Sequence, residues 1–139
     1  MSSVVTLIRS PRLADAPYAY AATAPGDARL IFLAGACPLD DHGATTAPND
    51  YAAQAARCID TLTTALHAAG ATLEDVVSTR ILVASAHQSD LVTAWEVIRA
   101  AFGSHDAPST LLGVTALGYD AQLVEIEAVA AVADTGRER

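Results

Sequence analysis

The sequence lacks the features that would place a protein on a nucleic acid or in a membrane. Its 139 residues include only 8 Lys and Arg, these do not cluster, and the formal net charge is −8. A nucleic-acid partner is bound by a basic surface that displaces counterions from phosphates, and no such surface is readable here. No apolar run approaches the roughly 20 residues that a membrane-spanning helix needs. We therefore expect no nucleic-acid partner and no membrane association.

Signals for secretion, disulfide frameworks and metal sites are also missing. The first eight residues contain no basic segment followed by a long apolar stretch, so no signal peptide is predicted. The two cysteines, Cys37 and Cys58, do not make a disulfide framework in a domain of this size. The four histidines lie far apart without metal-ligand spacing, and no phosphate-binding glycine motif occurs. These absences favour a cytoplasmic protein that needs no metal and no cofactor.

The residues that are present suit a single domain over residues 1–139. Hydrophobic residues make up 52% of the chain, which is enough for a sizeable core. Short β-branched or apolar runs between Gly and Pro punctuation predict six strands, of which the third is expected to be buried. Their expected ranges are Val4–Ile8, Tyr18–Ala22, Arg29–Ala34, Val76–Val83, Thr110–Val114 and Leu123–Val132.

Two helices are predicted between these strands. The first begins at Asn49 or Asp50, carries apolar residues at three- and four-residue spacing, and ends at Gly70. The second begins at Ser89 or Asp90 and also ends at a glycine. Both helices can cover one face of a mixed sheet, which predicts an α+β domain. The other sheet face must then meet something, and a second copy of the chain is the expected partner.

Several segments resemble the landmarks of one known family, in the same order and spacing. They cover about residues 11–133 and leave a short tail after 134. They are Ala16–Ala21 (APYAYA, similar to G-P-Y-S-x-A), Leu30–Asp40 (LIFLAGACPLD, similar to L-I-F-V-S-G-Q-x-P-L-D), Gln54, Leu66–Val77 (LHAAGATLEDVV) and Leu123–Ala130 (LVEIEAVA, similar to V-E-I-E-A-I-A). On these residues the chain resembles the RidA (YjgF) family.

The resemblance implies a chorismate-mutase-like fold and a homotrimer with three clefts at the subunit interfaces. In active members the cleft binds the carboxylate of a small imine or enamine derived from an amino acid. An arginine in a P-A-R-S/T motif grips that carboxylate. The first glutamate of E-I-E helps a water to attack the imine carbon, and ammonia leaves. By position, Glu125 takes this catalytic role, and Tyr18 and Gly35 take substrate-binding positions.

The family's arginine is missing from this sequence. The corresponding stretch reads APST from residue 107 to residue 110. An alignment on the downstream pair Gly113-Val114 puts Ser109 at the arginine position. Counting back from Glu125 without a gap puts Thr110 there instead. A hydroxyl offers one uncharged donor where a guanidinium offers a rigid charged fork, a loss of about 2–4 kcal/mol of substrate binding. The substrate is therefore expected to differ from the usual amino-acid-derived imines, and it need not carry an α-carboxylate.

Arg80 is the candidate replacement for the missing guanidinium. In its strand it shares a face with Ser78 and Leu82. A cationic side chain inside an apolar strand must find a carboxylate or reach water. Arg80 therefore either grips an anion in the cleft or forms a structural ion pair with Glu127 or Glu125.

Four further residues each allow two interpretations. Glu125 orients the attacking water, or it is a sheet-face carboxylate bonded to a neighbour. Tyr18 supplies a hydroxyl and an aromatic wall to the cleft, or it is a core tyrosine. Trp95 lines the cleft or packs in the apolar stripe of the second helix. Cys37 is a nucleophile only with a nearby base and a lowered pKa, and is otherwise a small buried residue.

Two classes of function follow from these residues. The first is a hydrolytic deaminase or related enzyme acting on a reactive imine, enamine or similar small metabolite in clefts between subunits. The second is a non-catalytic trimer that binds a small metabolite or a partner protein in the same clefts. An older description of the family as a ribonuclease gains no support here, because the chain is acidic and has no basic groove.

Overall fold

The computed structural model describes residues 2–135, so the short tail expected after residue 134 lies, apart from Thr135, outside the described residues. Within that range six strands and two long helices follow one another. A 3₁₀ turn at Leu73–Asp75 precedes the fourth strand. The strands are β1 (Thr6–Ile8), β2 (Ala21–Thr23), β3 (Arg29–Phe32), β4 (Val76–Ala84), β5 (Ser109–Val114) and β6 (Val124–Val132), and the helices are α1 (Tyr51–Ala68) and α2 (Gln88–Phe102).

The main sheet is mixed, with the strand order β3-β6-β4-β5. β4 and β5 run parallel and are joined through α2, whereas β6 pairs antiparallel with both β3 and β4. β1 and β2 form a separate two-stranded antiparallel ribbon. Both helices pack on the same face of the main sheet, which confirms the predicted α+β architecture.

The core lies between the two helices and that sheet face. Successive side chains of a strand point to opposite faces, so alternate residues of β4 and β6 turn towards the apolar stripes of the helices. Burying one such side chain contributes about 1.5–3 kcal/mol. The largest fully buried apolar residues in this layer are Leu62 and Leu66 of α1, Ile98 of α2, Ile81 of β4 and Ile126 of β6.

The two ends of α1 follow the sequence prediction. The Asp50 side chain accepts a hydrogen bond from the backbone N–H of Ala53 at 2.9 Å, which satisfies a first-turn donor that has no partner inside the helix. Beyond the other end, Gly70 adopts a φ of +85°, a conformation in which a side chain would be strained.

The predicted start of α2 at Ser89 or Asp90 is wrong by one or two residues. The helix begins at Gln88. The Asp90 side chain accepts instead from the Ser85 hydroxyl at 2.7 Å, so it fastens the first turn to the end of β4. Sequence pattern places helix ends poorly because several polar residues in a row can each serve as the cap. Within residues 2–135 neither helix is long and apolar enough to cross a membrane.

β3 is not the buried strand that its apolar run predicted. It ends at Phe32 rather than Ala34, and only Ile31 of the strand is buried. Leu30 and Phe32 are 53% and 75% exposed, because β3 is an edge strand with one face turned away from the helices. The ribbon strands are also shorter than predicted, since β1 starts at residue 6 and β2 at residue 21.

A buried glutamine joins α1 to the segment that leads into β6. The Gln54 side chain is fully buried, and its Oε1 accepts from the backbone N–H of Leu123 at 2.7 Å. Its Nε2 donates to the carbonyl oxygens of Ala121 at 2.9 Å and Ala47 at 3.3 Å. Ala121 has a φ of +58° and Ala47 a φ of +46°, so this one side chain holds two irregular loop segments in place.

Replacing Gln54 should therefore be costly. We expect Gln54→Ala to lower the free energy of unfolding by about 2–4 kcal/mol, because it leaves buried backbone groups without partners and opens a cavity. Urea denaturation followed by circular dichroism measures this loss. The matched control is Gln88→Ala at the exposed start of α2, with an expected change within about 0.5 kcal/mol. Equal losses in the two variants would contradict the anchoring role.

Candidate functional site

The candidate site lies on the open face of the main sheet, the face turned away from the helices. The register of β4 and β6 sets Arg80 opposite Glu127 and Leu82 opposite Glu125. Both carboxylates therefore share one face with Arg80. Phe32 lies on the same face, in register with the β6 residue two positions beyond Glu127.

The Glu125 carboxylate is held by one of its two oxygens. Oε1 accepts from the Sγ–H of Cys37 at 3.3 Å and from Nε2 of Gln122 at 3.1 Å. Among residues 2–135, Oε2 accepts no hydrogen bond from a protein group. Every fully buried side-chain oxygen in that part of the chain has a partner, so solvent reaches Oε2. Such a carboxylate is fixed in orientation and still has an oxygen free to bind water.

Gly35 makes room for this carboxylate. The chain after β3 continues alongside β6, with Ala36 bridged to Ile126, so position 35 faces Glu125. A Cβ at position 35 would overlap Oε2 of Glu125. Only glycine allows the carboxylate to lie against the backbone here, and this gives a physical reason for a glycine at the position that the sequence marked.

Gln122 is a site residue that sequence reasoning missed. Its side chain is buried, accepts from the backbone N–H of Tyr119 at 3.1 Å, and donates to the carbonyl oxygen of Val124 and to Glu125, both at 3.1 Å. It therefore ties the Glu125 carboxylate to the turn before β6. A glutamine in a polar turn looks exposed in the sequence, and only the folded chain brings its amide to Glu125.

A cleft of about 330 Å³, a size typical of small-molecule sites, extends to Gly35, against which the Glu125 carboxylate lies. Gly35, Arg80, Glu127 and Phe32 are among its lining residues. Arg80 Nε lies 3.5 Å from Glu127 Oε1, and their side chains are 59% and 42% exposed. An ion pair this exposed to solvent contributes about 0–1 kcal/mol, so a ligand can displace either partner at little cost.

The structure separates the two candidates for the missing arginine position. The Ser109 hydroxyl accepts from Thr79 Oγ1 and donates to the carbonyl oxygen of Ala107, both at 2.8 Å, and Thr79 is buried on the helix side of the sheet. Thr110 is in register with Arg80 across the parallel β4–β5 pair and is exposed on the open face. Of the two candidates, Thr110 is therefore the one on the open face, and neither is among the residues that line the cleft.

Tyr18 does not meet Glu125 within one chain. Its ring packs edge-on against Tyr20, with 5.7 Å between centroids, and against Trp95 of α2, with 6.5 Å between centroids. Tyr18 and Trp95 are both half-buried, and Trp95 packs against the hydrophobic core, which confirms its place in the apolar stripe of the second helix. The three rings form an aromatic cluster at α2, on a different part of the surface from the cleft.

The thiols of both cysteines have raised pKa values. Burial and the adjacent Glu125 carboxylate raise the pKa of the Cys37 thiol to about 11. Burial also raises the pKa of Cys58, whose Sγ–H points at the carbonyl oxygen of Val124. A thiol nucleophile needs a lowered pKa, so Cys37 serves here as a hydrogen-bond donor to Glu125. Within residues 2–135, no group of three His, Cys, Asp or Glu side chains could hold a metal ion.

These features define a class of small α+β domain whose helix-free sheet face carries a fixed glutamate beside a cleft. The family model described as Endoribonuclease L-PSP matches residues 10–132. The chain therefore belongs to this family, whose solved members are also described as Rid or YjgF proteins. Among curated proteins, no sequence matches this chain significantly.

Solved structures agree with this assignment. YyfB of Yersinia pestis, described as a Rid-family protein of unknown function, is 27% identical over 93% of this chain and 99% of its own, with a TM-score of 0.86. A YjgF/YER057c/UK114-family protein of Mycobacterium tuberculosis is 33% identical over 92% of this chain and 99% of its own, with a TM-score of 0.63. A protein of Thermotoga maritima described as an endoribonuclease is 25% identical over 94% and 98%, with a TM-score of 0.67.

The contact between Cys37 and Glu125 gives a prediction about thiol ionisation. In Glu125→Gln the pKa of Cys37 should fall below about 11, because the negative charge that opposes thiolate formation is gone. It should stay above the ordinary 9.0, because burial is the larger cause of the shift. Iodoacetamide alkylation as a function of pH, with the modified peptide identified by mass spectrometry, measures both midpoints. An unchanged midpoint would show that the two side chains do not interact.

Proposed function

We propose that this chain is a hydrolase of a small imine or enamine, which it converts to a carbonyl compound and ammonia. The substrate differs from the usual amino-acid-derived imines. One observation carries the proposal. The Glu125 carboxylate is fixed through Oε1 and open to solvent at Oε2, beside a cleft of about 330 Å³. A general base needs such an oriented oxygen within reach of a water molecule.

The reaction needs only the substrate and one water. A water held by Oε2 of Glu125 attacks the carbon of the protonated C=N bond, and the carboxylate takes a proton from that water. The product of this step is a carbinolamine. Glu125 returns the proton to nitrogen and takes the hydroxyl proton as the C–N bond breaks, so that ammonia leaves as the C=O bond forms. Ammonia then takes that last proton, and the products are the carbonyl compound and an ammonium ion. Atoms and charge balance without an oxidant, a metal or a cofactor.

Self-association completes the site in this proposal. The open face carries exposed apolar side chains at Leu30, Phe32 and Leu112, with exposed fractions of 53%, 75% and 37%. Apolar surface of this kind favours a protein partner, and a homotrimer with clefts between subunits fits the family. Such an arrangement brings the aromatic cluster of one copy, which includes Tyr18, to the cleft of the next.

A non-catalytic trimer that binds a small metabolite is the second candidate function. The ion pair between Arg80 and Glu127, together with the absence of an arginine at position 109 or 110, favours it. An endoribonuclease is not proposed. The net charge is −8 and the sequence has no basic cluster, whereas RNA binding requires positive charge that follows the phosphate backbone.

Glu125→Gln is the direct test of hydrolysis. Amino-acid oxidase and amine oxidase generate carboxylated and carboxylate-free imines in the assay, and ammonia and carbonyl release are followed with and without the protein. We expect the wild type to accelerate release for at least one imine. We expect Glu125→Gln to reduce that acceleration by about 100-fold or more, because an amide still accepts the Cys37 and Gln122 hydrogen bonds but cannot take a proton.

The matched control for this test is Glu74→Gln, at an exposed position in the 3₁₀ turn. It should keep the wild-type rate. If no imine is hydrolysed faster while the protein stays folded and assembled, the hydrolase proposal fails and the binding function takes its place.

Assembly is tested at the most exposed apolar residue of the open face. We expect Phe32→Glu to convert a trimer to monomers, because three copies of a carboxylate would be desolvated at the interface. Analytical ultracentrifugation gives the mass of the particle. Ala65→Glu adds the same charge on the exposed side of α1 and should leave the trimer intact. A monomeric wild type would contradict the proposed assembly.

A further inference from the structure

The charge balance of the cleft points to the kind of ligand that it binds. Two carboxylates, Glu125 and Glu127, lie on the open face around one cation, Arg80. Arg80 is already paired with Glu127 at 3.5 Å. The hydrogen-bond partners of Glu125 are the thiol of Cys37 and the amide of Gln122, neither of which carries a positive charge. Within residues 2–135 of one copy, no positively charged side chain is therefore paired with Glu125.

No other arginine of the described chain supplies positive charge among the cleft-lining residues. Arg29, on the adjacent edge strand, turns its guanidinium towards Gly70 at the end of α1. Arg57 donates to the carbonyl oxygen of Leu39. At the family's arginine position, the residue on the open face is the uncharged Thr110. A ligand carboxylate would enter this cleft against a net negative field, which disfavours it.

The aromatic cluster is a second observation, and it bears on the cleft through the proposed trimer. Tyr18 lies between Tyr20 and Trp95, with ring centroids 5.7 and 6.5 Å away, and Tyr20 is 38% exposed. Aromatic faces attract cations, and clustered tyrosine and tryptophan rings are the usual protein surface for binding an organic ammonium group. The ring faces do not attract a carboxylate, which can use only the hydroxyl and indole N–H donors at the ring edges. The proposed trimer is expected to bring this cluster to the cleft of the neighbouring copy.

We propose that the ligand of this cleft is an organic cation without a carboxylate, namely a protonated imine or a primary ammonium compound with a small apolar body. This inference rests on the proposed function for the position of the site. Glu125 then attracts the positive nitrogen, and the apolar body packs against Phe32 and Val129, which line the cleft. The site therefore remains a binding site without the family's arginine, but it binds a substrate with a positive charge and no carboxylate.

Binding of two matched small molecules tests the inference without relying on catalysis. Benzylammonium is a stable analogue of a protonated imine, and benzoate has the same ring with the opposite charge. Isothermal titration calorimetry on the assembled wild-type protein should show benzylammonium binding at least tenfold more tightly than benzoate. Tighter benzoate binding, equal binding of the two, or no binding of either would overturn the inference.

Variants identify the groups that set the preference. Glu125→Gln should weaken benzylammonium binding about tenfold or more, because a charged contact is lost. The matched control Glu74→Gln should leave it unchanged. Thr110→Arg places a guanidinium on the exposed open face and should reverse the preference in favour of benzoate. Wild-type affinity in Glu125→Gln would show that the cation binds elsewhere and would overturn the assignment.

A catalytic comparison separates this inference from the proposed function. Amine oxidase makes the imine of benzaldehyde from benzylamine, and amino-acid oxidase makes the carboxylated counterpart from phenylglycine. Faster hydrolysis of the first imine supports both proposals. If benzylammonium binds through Glu125 but neither imine is hydrolysed, the proposed ligand class is supported and the hydrolase proposal is contradicted. Hydrolysis of only the carboxylated imine keeps the hydrolase and overturns the ligand class.

Discussion

The position of the Glu125 carboxylate is the constraint on which the rest of the site is arranged. It fills the space that a side chain at position 35 would occupy, and it takes hydrogen bonds from Cys37 and Gln122. Gln122 is in turn fixed by the backbone of the turn before β6, and Gln54 of α1 holds that same turn through two backbone hydrogen bonds. A buried glutamine in the helix layer thus determines where a carboxylate stands on the opposite face of the sheet. Buried polar networks specify geometry well when every member has its partners, as these do.

The helix-covered face of the sheet stabilises the fold, and the open face is the one available for binding. Apart from Thr79, the helix-facing side chains of β4 and β6 are apolar and buried, and they stabilise the domain. The opposite face is mixed, with carboxylates and one arginine between exposed apolar residues. A single chain cannot cover that face because both of its long helices lie on the other side. Because no helix covers the open face, its apolar side chains are available for self-association and its cleft is accessible.

The chain belongs to the Rid family, but the residues of its candidate site differ from the family pattern at the arginine position. The family match covers residues 10–132, and the glutamate and glycine positions of the motif have a clear structural role in this chain. Thr110 stands beside Arg80 where a charged grip is expected from the resemblance, and Arg80 is paired with Glu127. In the proposed function Glu125 orients the water, whereas Arg80, the one arginine among the described residues that line the cleft, is paired with Glu127. We therefore place the difference from other members in the recognition of the substrate.

The sequence by itself determined the α+β class, the main helices and strands and the family, because hydrophobic periodicity and motif spacing are local properties of the chain. It also determined that Arg80 shares a face with Ser78 and Leu82, since alternation along a strand requires nothing from the rest of the fold. It did not determine that β3 is an exposed edge strand, that Gln122 reaches Glu125, or that Thr110 rather than Ser109 lies on the open face. Those facts depend on which strands become neighbours and on what covers each face of the sheet. Only the tertiary structure decides them, because strand order and burial arise from contacts between residues that are far apart in the sequence.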